Sequence, residues 1–215
     1  MGNWDFMNVI PAILAKTKKE FLHKVKTIMP YCDLIQIDVM DGIFVPNKTW
    51  ADIDVIKRLK LPIEFEVHLM VKDPEAVIED WAKAGAKRII FHIEATKNPK
   101  KCIQEIKKFK RKAGIAINPK TPVSRIKEYL HKVDYILIMG VDPGFSGQKF
   151  QQQVLKKAKQ LKKLAPNIEL GIDGGVNQKN KKQIFASGID SLSVASAIFK
   201  TKNIARAIEK LEEPK

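Results

Sequence analysis

The chain has 215 residues and 45% of them are hydrophobic, so it can bury a large core and is long enough for one barrel of eight β/α units. It lacks an apolar run of roughly 18 residues that could span a bilayer, and residues 1–7 do not resemble a signal peptide, so we expect a cytoplasmic protein without a membrane partner. The net charge of +15 favours anionic ligands, but the lysines recur in amphipathic stretches without a nucleic-acid-binding motif, so we expect no nucleic acid partner.

Predicted strands and helices alternate along the chain. Eight short runs rich in apolar and β-branched residues predict eight strands. These predicted strands are residues 9–14, 34–39, 63–70, 88–93, 114–118, 135–141, 168–173 and 191–195. Lysine-rich segments with helical periodicity lie between them. The predicted helices include residues 18–29, 74–84, 99–112, 151–164 and 177–187.

Two helix starts carry capping signals. Thr17 followed by Glu20 is typical of a capping box, in which two side chains accept hydrogen bonds from backbone N–H groups of the first turn. Asp73 before Pro74 places a hydrogen-bond acceptor at the N-cap and a proline at the first helical position. Both signals follow a predicted strand, where a β/α unit passes into its helix.

This alternation predicts the fold class. Eight β/α units with short connections and no proline- or glycine-rich linker favour a single-domain α/β fold, a (β/α)8 TIM barrel over residues 1–215. A doubly wound open sheet is the alternative, but it usually has fewer strands.

Polar side chains on the predicted strands need an explanation because most of them face the barrel interior. Gln36 and Asp38 are two residues apart, as are Glu66 and His68, so each pair shares one face of its strand. Asp173 closes the seventh strand. Each residue taken alone has an ordinary structural explanation, such as a helix cap or a satisfied polar group.

The joint position of Asp38, His68 and Asp173 at strand C-termini indicates chemistry. Two carboxylates and an imidazole at one end of a barrel can hold a divalent metal ion. Two carboxylates from strands on opposite sides can also remove a proton beside a carbonyl on one face of a substrate and return it on the other. Inversion at one carbon is the expected outcome.

Glycine-containing loops after strands six, seven and eight indicate phosphate binding. Barrels commonly bind phosphate through backbone N–H groups after strands seven and eight. The candidate phosphate-binding residues are Gly144, Phe145, Ser146, Gly147, Gly174, Gly175, Ala195 and Ser196. Because G-x-G-x-x-G and Walker A motifs are absent from the sequence, a dinucleotide or a nucleoside triphosphate is not expected.

Six motifs, in order over almost the whole chain, resemble the ribulose-phosphate 3-epimerase family. They are IPAIL at residues 10–14, DVMDGIFVPN at 38–47, VHLMV at 67–71, NPKTP at 118–122, PGFSGQKF at 143–150 and IDGGV at 172–176. The resemblance implies metal-dependent interconversion of ribulose 5-phosphate and xylulose 5-phosphate, with two aspartates exchanging the proton at C3. It also implies one divalent ion, which is Zn, Fe, Mn or Co.

The resemblance assigns roles residue by residue. Asp38 and Asp173 match the catalytic aspartates, which are also metal ligands, and His68 matches a metal-binding histidine beside the substrate. The loop glycines and Ala195–Ser196 match the phosphate contacts. The methionines that match pocket-lining residues are Met40, Met70 and Met139.

The chain departs from the family pattern at several positions. Gln36 replaces a metal-binding histidine, and since an amide oxygen is a weaker ligand than imidazole, we expect weak or lost metal binding there. Ala12 replaces a serine that faces the substrate. Ala195 and Ser146 replace glycines of the phosphate loops, which is milder because the backbone N–H groups remain.

The other histidines and the cysteines are expected to have no catalytic role. His92 is predicted to border the pocket without completing the metal site. His23 and His131 lie on helical stretches and are predicted to be solvated. Cys32 and Cys102 match no disulfide or zinc spacing and are predicted to be ordinary thiols.

Alternatives to an active C3 epimerase remain open from the sequence. Ala12 and Gln36 would also suit an epimerase of another ketose phosphate. Intact phosphate loops beside an altered metal site would suit a phosphosugar-binding protein without catalysis. The lysine-rich surface either attracts the phosphorylated ketose or has no role, and whether the chain forms a homo-oligomer is left open.

Overall fold

A computed structural model describes residues 8–213, so the expectation for residues 1–7 concerns a segment outside the described residues. The described chain contains eight β-strands. They are β1 Asn8–Ile13, β2 Leu34–Met40, β3 Glu64–Met70, β4 Arg88–His92, β5 Lys112–Ile117, β6 Tyr135–Met139, β7 Glu169–Asp173 and β8 Ser191–Val194. All eight predicted strands are therefore confirmed, with boundaries that differ by at most two residues.

The strands form one closed parallel barrel in sequence order, and β8 pairs with β1 to close it. This closure confirms the TIM barrel and excludes an open doubly wound sheet. The register aligns the polar interior positions of β2 and β3, since Gln36 lies beside Glu66 and Asp38 lies beside His68. The C-terminal strand ends therefore meet at one mouth of the barrel.

Eight α-helices cover the described part of the barrel. They are α1 Lys18–Ile28, α2 Ile53–Leu59, α3 Ile78–Ala84, α4 Pro99–Lys108, α5 Leu155–Leu164, α6 Lys181–Phe185, α7 Ser196–Phe199 and α8 Ile204–Glu212. A 3₁₀ helix, Val123–Tyr129, follows β5 where the other units have an α-helix. Among the described helices, none is long and apolar enough to cross a bilayer.

The capping predictions are only partly correct. Thr17 accepts a hydrogen bond from the Glu20 N–H at 3.2 Å, as predicted. The Glu20 carboxylate accepts from the Lys16 N–H at 2.7 Å, one residue before the position a capping box uses. Asp73 and Pro74 occupy the predicted N-cap and first position, but of a 3₁₀ turn, in which the Ala76 N–H donates to the Asp73 backbone carbonyl at 3.1 Å and the Asp73 side chain makes no capping bond.

Four predicted helices differ from the structure in extent. The segment 74–84 divides into that 3₁₀ turn and α3, and α5 likewise follows a 3₁₀ turn, Gln152–Val154. The segment 99–112 ends as a helix at Lys108, because Lys110 has a left-handed backbone with φ of 55° and β5 begins at Lys112. Only Lys181–Phe185 of the segment 177–187 is helical.

The main core lies between the barrel and its helices. Strand residues such as Ile35, Ile37 and Val67 face outward and pack with helix residues such as Phe21 and Trp81. Each of these side chains is buried, so the alternation along each strand puts apolar groups on the helix side. The opposite face of each strand is left for the barrel interior, where the polar residues lie.

A buried ion cluster fills the N-terminal end of the barrel interior and accounts for Glu66. Arg88 Nε donates to Glu66 Oε2 at 2.8 Å, and Arg88 Nη1 donates to Glu169 Oε1 at 2.8 Å. The guanidinium also stacks 3.4 Å from the ring centroid of Tyr135, whose hydroxyl lies 3.0 Å from Ser191 Oγ. We call these five residues the N-terminal layer. Glu66 therefore belongs to a structural ion pair and does not reach the mouth.

Candidate active site at the barrel mouth

A pocket opens at the C-terminal mouth of the barrel, where the predicted chemistry converges. Its wall contains both aspartates, the three predicted methionines and every predicted phosphate-binding residue. These are Asp38, Asp173, Met40, Met70, Met139, Gly144, Phe145, Ser146, Gly147, Gly174, Gly175, Ala195 and Ser196. Ala12, Gln36 and His68 do not line it; each is almost fully buried deeper in the barrel.

Asp38, His68 and Asp173 form the group in the described chain that could hold a metal ion. One ligand atom from each lies within 4.8 Å of the others. His68 Nδ1 is 3.3 Å from both Asp38 Oδ1 and Asp173 Oδ2. We expected the aspartates on opposite sides of the barrel, but these oxygens converge because β2 and β7 are separated only by β1 and β8.

Gln36 contacts the same two oxygens. Its Nε2 donates to Asp38 Oδ1 at 2.8 Å and to Asp173 Oδ2 at 2.7 Å, while its Oε1 accepts from Ser193 Oγ at 2.7 Å. All three polar contacts of the amide are therefore made inside the barrel. We call Gln36, Asp38, His68, Asp173 and Ser193 the C-terminal layer.

The second oxygen of each aspartate has no partner among the described residues. The hydrogen bonds of the layer reach Asp38 Oδ1 and Asp173 Oδ2 only. Asp38 Oδ2 and Asp173 Oδ1 are also not among the buried unpartnered atoms of the described chain, and both residues line the pocket. Each carboxylate thus has one oxygen held within the barrel and one oxygen available to a ligand.

His92 and Glu94 extend the layer away from the pocket. His68 Nε2 lies 2.9 Å from His92 Nε2, and His92 Nδ1 lies 3.2 Å from Glu94 Oε2. Glu94 Oε1 accepts from the Asn118 N–H at 2.9 Å and from the Thr121 hydroxyl. His92 is outside the group that could hold a metal ion, and it does not line the pocket, although the sequence predicts that it borders it. It contacts His68 Nε2, the ring nitrogen that does not face the aspartates.

The electrostatics of the layer follow from burial and these contacts. Burial and the charge of Asp173 raise the pKa of Asp38, against hydrogen bonds from His68 and Gln36. Burial lowers the pKa of His68, but hydrogen bonds to Asp173 and Asp38, together with their charges, outweigh it and raise the pKa to about 9. A protonated His68 donates from both ring nitrogens, to the carboxylates and to His92.

The protonation states of His92 and Glu94 complement that of His68. Burial lowers the pKa of His92, and the charge of His68 adds to this effect against the bond to Glu94. Burial opposes ionisation of Glu94, but hydrogen bonds with His92, Thr121 and the Asn118 backbone lower its pKa to about 2. A neutral His92 therefore accepts from His68 and donates to an ionised Glu94.

The side of the pocket that carries the predicted phosphate-binding residues is built from tight glycine turns. Gly144, Gly147, Gly174 and Gly175 all have positive φ, between 71° and 117°. A Cβ on Gly175 would lie 2.8 Å from the Phe150 Cα, so only glycine fits the close approach of these two loops. Asn47 Nδ2 donates to the Gly144 carbonyl at 3.1 Å and ties the β2 loop to the β6 loop.

Two residues of the site were not predicted. Ser193 was missed although Ser191 and Ser193 alternate on β8, a pattern that places two hydroxyls on the interior face. Glu94 was missed because it lies just beyond β4, in a 3₁₀ turn whose contacts come from the β5 loop. Glu94 lies outside all six family motifs, so no neighbouring residues in the sequence indicate its role.

The remaining histidines and cysteines lie away from the mouth. His23 and His131 are exposed, as predicted. Cys32 and Cys102 are unpaired, and burial raises the pKa of their thiols to about 11 and about 12. Both are therefore protonated thiols at neutral pH, which agrees with the prediction that they are ordinary.

Comparison with known proteins identifies the family. The model of the ribulose-phosphate 3-epimerase family matches residues 8–199, from the first strand of the barrel to α7. The chain belongs to this family. The match includes both aspartates, His68 and the three loops predicted to bind phosphate, so the barrel mouth lies wholly within the family region.

Relatives from bacteria and plants share much of the sequence. A ribulose-phosphate 3-epimerase of Aquifex aeolicus is 39% identical over 194 residues, which is 86% of each chain. A chloroplastic ribulose-5-phosphate-3-epimerase of Arabidopsis thaliana is 37% identical over 96% of this chain and 76% of its own. The ribulose-phosphate 3-epimerase of Escherichia coli K12 is 37% identical over 86% of this chain and 85% of its own.

Solved structures with lower identity share the barrel. A 3-hexulose-6-phosphate synthase has a TM-score of 0.73 at 15% identity and covers 95% of this chain and 98% of its own. The protein KGPDC from Streptococcus mutans has a TM-score of 0.74 at 14% identity and covers 96% of this chain and 95% of its own. At this identity the likeness concerns the fold alone.

Proposed function

We propose that the protein interconverts ribulose 5-phosphate and xylulose 5-phosphate by moving the proton at C3 between Asp38 and Asp173. The observation that carries this proposal is that the two oxygens of each carboxylate have different surroundings. One oxygen of each is held by Gln36 and His68, and the other is available at the pocket wall. Two fixed carboxylates with available oxygens are what exchange of one proton at one carbon requires.

Each aspartate has a defined task in this mechanism. In one direction, the ionised carboxylate of one aspartate removes the C3 proton, and the protonated carboxyl of the other delivers a proton to the opposite face. Burial and the charge of Asp173 raise the pKa of Asp38, which makes the protonated form that this step needs easier to reach. The reverse reaction exchanges the two roles. Met40, Met70 and Met139 line the same pocket and exclude water from the carbanion.

The residues at the mouth fit one divalent cation. Asp38, His68 and Asp173 supply two carboxylate oxygens and one imidazole nitrogen, a donor set that suits Zn, Fe, Mn or Co. When bound there, such an ion stabilises negative charge on the enediolate oxygens. Gln36 presents its amide nitrogen to this position, so it is not a ligand in the orientation observed.

The phosphate of the substrate belongs at the other side of the pocket. Positive-φ glycines at Gly144, Gly147, Gly174 and Gly175 bring the backbone close to the ligand without a side chain in the way. Ala195 and Ser196 add the loop after β8, the usual phosphate position in this fold. This arrangement orients the sugar with C3 toward the aspartates.

Purified protein supplied in turn with Zn²⁺, Fe²⁺, Mn²⁺ and Co²⁺ tests the proposal. Incubation with ribulose 5-phosphate in deuterated water should give xylulose 5-phosphate with deuterium at C3, measured by NMR. Binding of the sugar phosphate without deuterium exchange under any metal would instead indicate a phosphosugar-binding protein. Faster exchange with another ketose phosphate would indicate the alternative substrate.

A further inference from the structure

The side-chain amide of Gln36 occupies the position that faces both ligand oxygens of the metal group. Its two N–H groups are divided between Asp38 Oδ1 and Asp173 Oδ2, at 2.8 and 2.7 Å. His68 Nδ1 approaches the same two oxygens from 3.3 Å. Two donor nitrogens therefore bridge two carboxylate oxygens, an arrangement that neutralises repulsion between the carboxylates without a metal.

Physical chemistry decides which end of the amide faces the carboxylates. An ionised carboxylate only accepts hydrogen bonds, so an amide oxygen turned toward Asp38 and Asp173 would be repelled, whereas Nε2 donates to both. Ser193 does not oppose either orientation, because its hydroxyl can donate to Oε1 or accept from Nε2. In the structure it donates to Oε1 at 2.7 Å. The carboxylates therefore determine the orientation of the Gln36 amide, and the hydrogen bond from Ser193 stabilises it.

A carboxylate oxygen has lone pairs for both a hydrogen bond and a cation, so the conflict between Gln36 and an ion concerns the one position that faces both Asp38 Oδ1 and Asp173 Oδ2. A divalent ion between Asp38, Asp173 and His68 would face the two hydrogens of Gln36 Nε2, which carry partial positive charge. We propose that Gln36, anchored by Ser193, is a built-in substitute for the metal that holds the two carboxylates together in the metal-free protein. A divalent cation held jointly by Asp38 Oδ1, Asp173 Oδ2 and His68 Nδ1 must displace this amide.

Gln36 is expected to have opposite effects on the stability of the metal-free protein and on its affinity for a metal ion. Without metal, Gln36 stabilises the folded protein, because it donates hydrogen bonds to the buried Asp38 and the partly buried Asp173. With metal, Gln36 lowers affinity, because its two hydrogen bonds must first be broken. The inference rests on the metal-binding part of the proposed function, but it does not depend on turnover of any sugar phosphate.

Cobalt binding to metal-stripped protein tests the inference, with calorimetry and the visible absorption of bound Co²⁺ as readouts. Gln36→Leu removes the amide and nearly keeps the volume. We expect it to lower the melting temperature of the metal-free protein and to bind Co²⁺ about tenfold tighter than wild type, since hydrogen bonds to charged groups are the stronger ones. Weaker or equal Co²⁺ binding would overturn the inference, weaker binding by showing that the amide is a ligand.

A second variant keeps the test valid if Gln36→Leu does not fold. Ser193→Ala removes the anchor of the amide, and we expect it to tighten Co²⁺ binding a few-fold; unchanged affinity would contradict the inference. Ser191→Ala is the matched control, because it loses a buried hydroxyl contact with Tyr135 two residues away on the same strand. Its Co²⁺ affinity should equal that of wild type.

Failure of the inference and failure of the proposed function have different signatures. If no variant, including Gln36→His, binds Co²⁺, the inference is overturned, and the deuterium exchange assay still judges epimerisation on its own. If Co²⁺ affinity follows the expected order while C3 exchange is absent, only the proposed function fails.

Discussion

The barrel interior holds charged groups in two layers, and the layers manage their charge differently. In the N-terminal layer, Glu66 and Glu169 share the guanidinium of Arg88, which is 4% exposed and always charged. In the C-terminal layer, no lysine or arginine of the described chain pairs with Asp38 or Asp173. Their donors are an amide and an imidazole.

This difference separates a structural cluster from a reactive one. In the N-terminal layer a permanent cation holds one oxygen of each carboxylate, Glu66 Oε2 and Glu169 Oε1. The C-terminal layer is held by groups that can be displaced or can change protonation, and His68, with its pKa raised to about 9, is its only cation. The same fold therefore keeps one carboxylate pair compensated and leaves the other ready for a proton or a metal ion.

Replacing either aspartate should have the largest effect on activity. Asp38→Asn and Asp173→Asn each remove one proton-transfer group, so we expect kcat for epimerisation to fall by about 10³-fold or more. Steady-state kinetics on both sugar phosphates would measure this loss. Glu66→Gln is the control from the N-terminal layer, and a comparable fall in kcat in that variant would break the distinction between the layers.

Replacing Arg88 should mainly affect stability. Arg88→Met leaves Glu66 buried without its cation, and removing one partner of a buried ion pair costs about 3–5 kcal/mol. Urea denaturation should show this loss, while kcat of the folded fraction stays near that of wild type. Adding Glu66→Gln to Arg88→Met should restore part of the stability. A double variant no more stable than Arg88→Met would argue against an unpaired carboxylate as the cause.

Glu94 links the C-terminal layer to the β5 loop, and its pKa gives a pH signature. Its pKa of about 2 in the folded protein lies below the unfolded value, so its contribution is present above about pH 4.5 and is lost as the pH falls toward 2. Glu94→Gln should lower the free energy of unfolding by about 1–3 kcal/mol at pH 7. It should also flatten the fall in stability on the acid side.

Denaturant curves at several pH values would measure that profile. Glu75→Gln is a suitable control, because Glu75 also contacts a threonine hydroxyl in this region but is not bonded to His92. An acid limb as steep in Glu94→Gln as in wild type would contradict the assignment.

The phosphate loops should give the smallest effect. Inorganic phosphate at ten times its Kd should stabilise the wild type by about 1.4 kcal/mol, seen as a rise in melting temperature. Gly175→Ala should remove most of this rise, because the new Cβ would lie 2.8 Å from the Phe150 Cα beside the pocket. Gly188→Ala is matched in its positive φ but lies outside the pocket, so it should lose stability and keep the full phosphate response.

Some features of the fold were predictable because they depend on local pattern. The eight strands follow from short apolar runs, and Asp38, His68 and Asp173 stand out as polar residues at strand ends. The helix ends were less predictable: Lys110 takes a left-handed backbone that its residue type does not favour. Asp73 lies at the predicted N-cap, but its backbone carbonyl, and not its side chain, accepts the hydrogen bond of the first turn.

The amino-acid sequence by itself determined the barrel, its family and the aspartates at the mouth, because these depend on periodicity and on contiguous motifs. Only the tertiary structure decided how the charges are compensated. Gln36 meets Asp173 across 137 residues of chain and Ser193 across 157, and Arg88 meets Glu169 across 81. Closure of the barrel sets these contacts, and the orientation of one amide between two carboxylates follows from hydrogen bonding that no local pattern encodes.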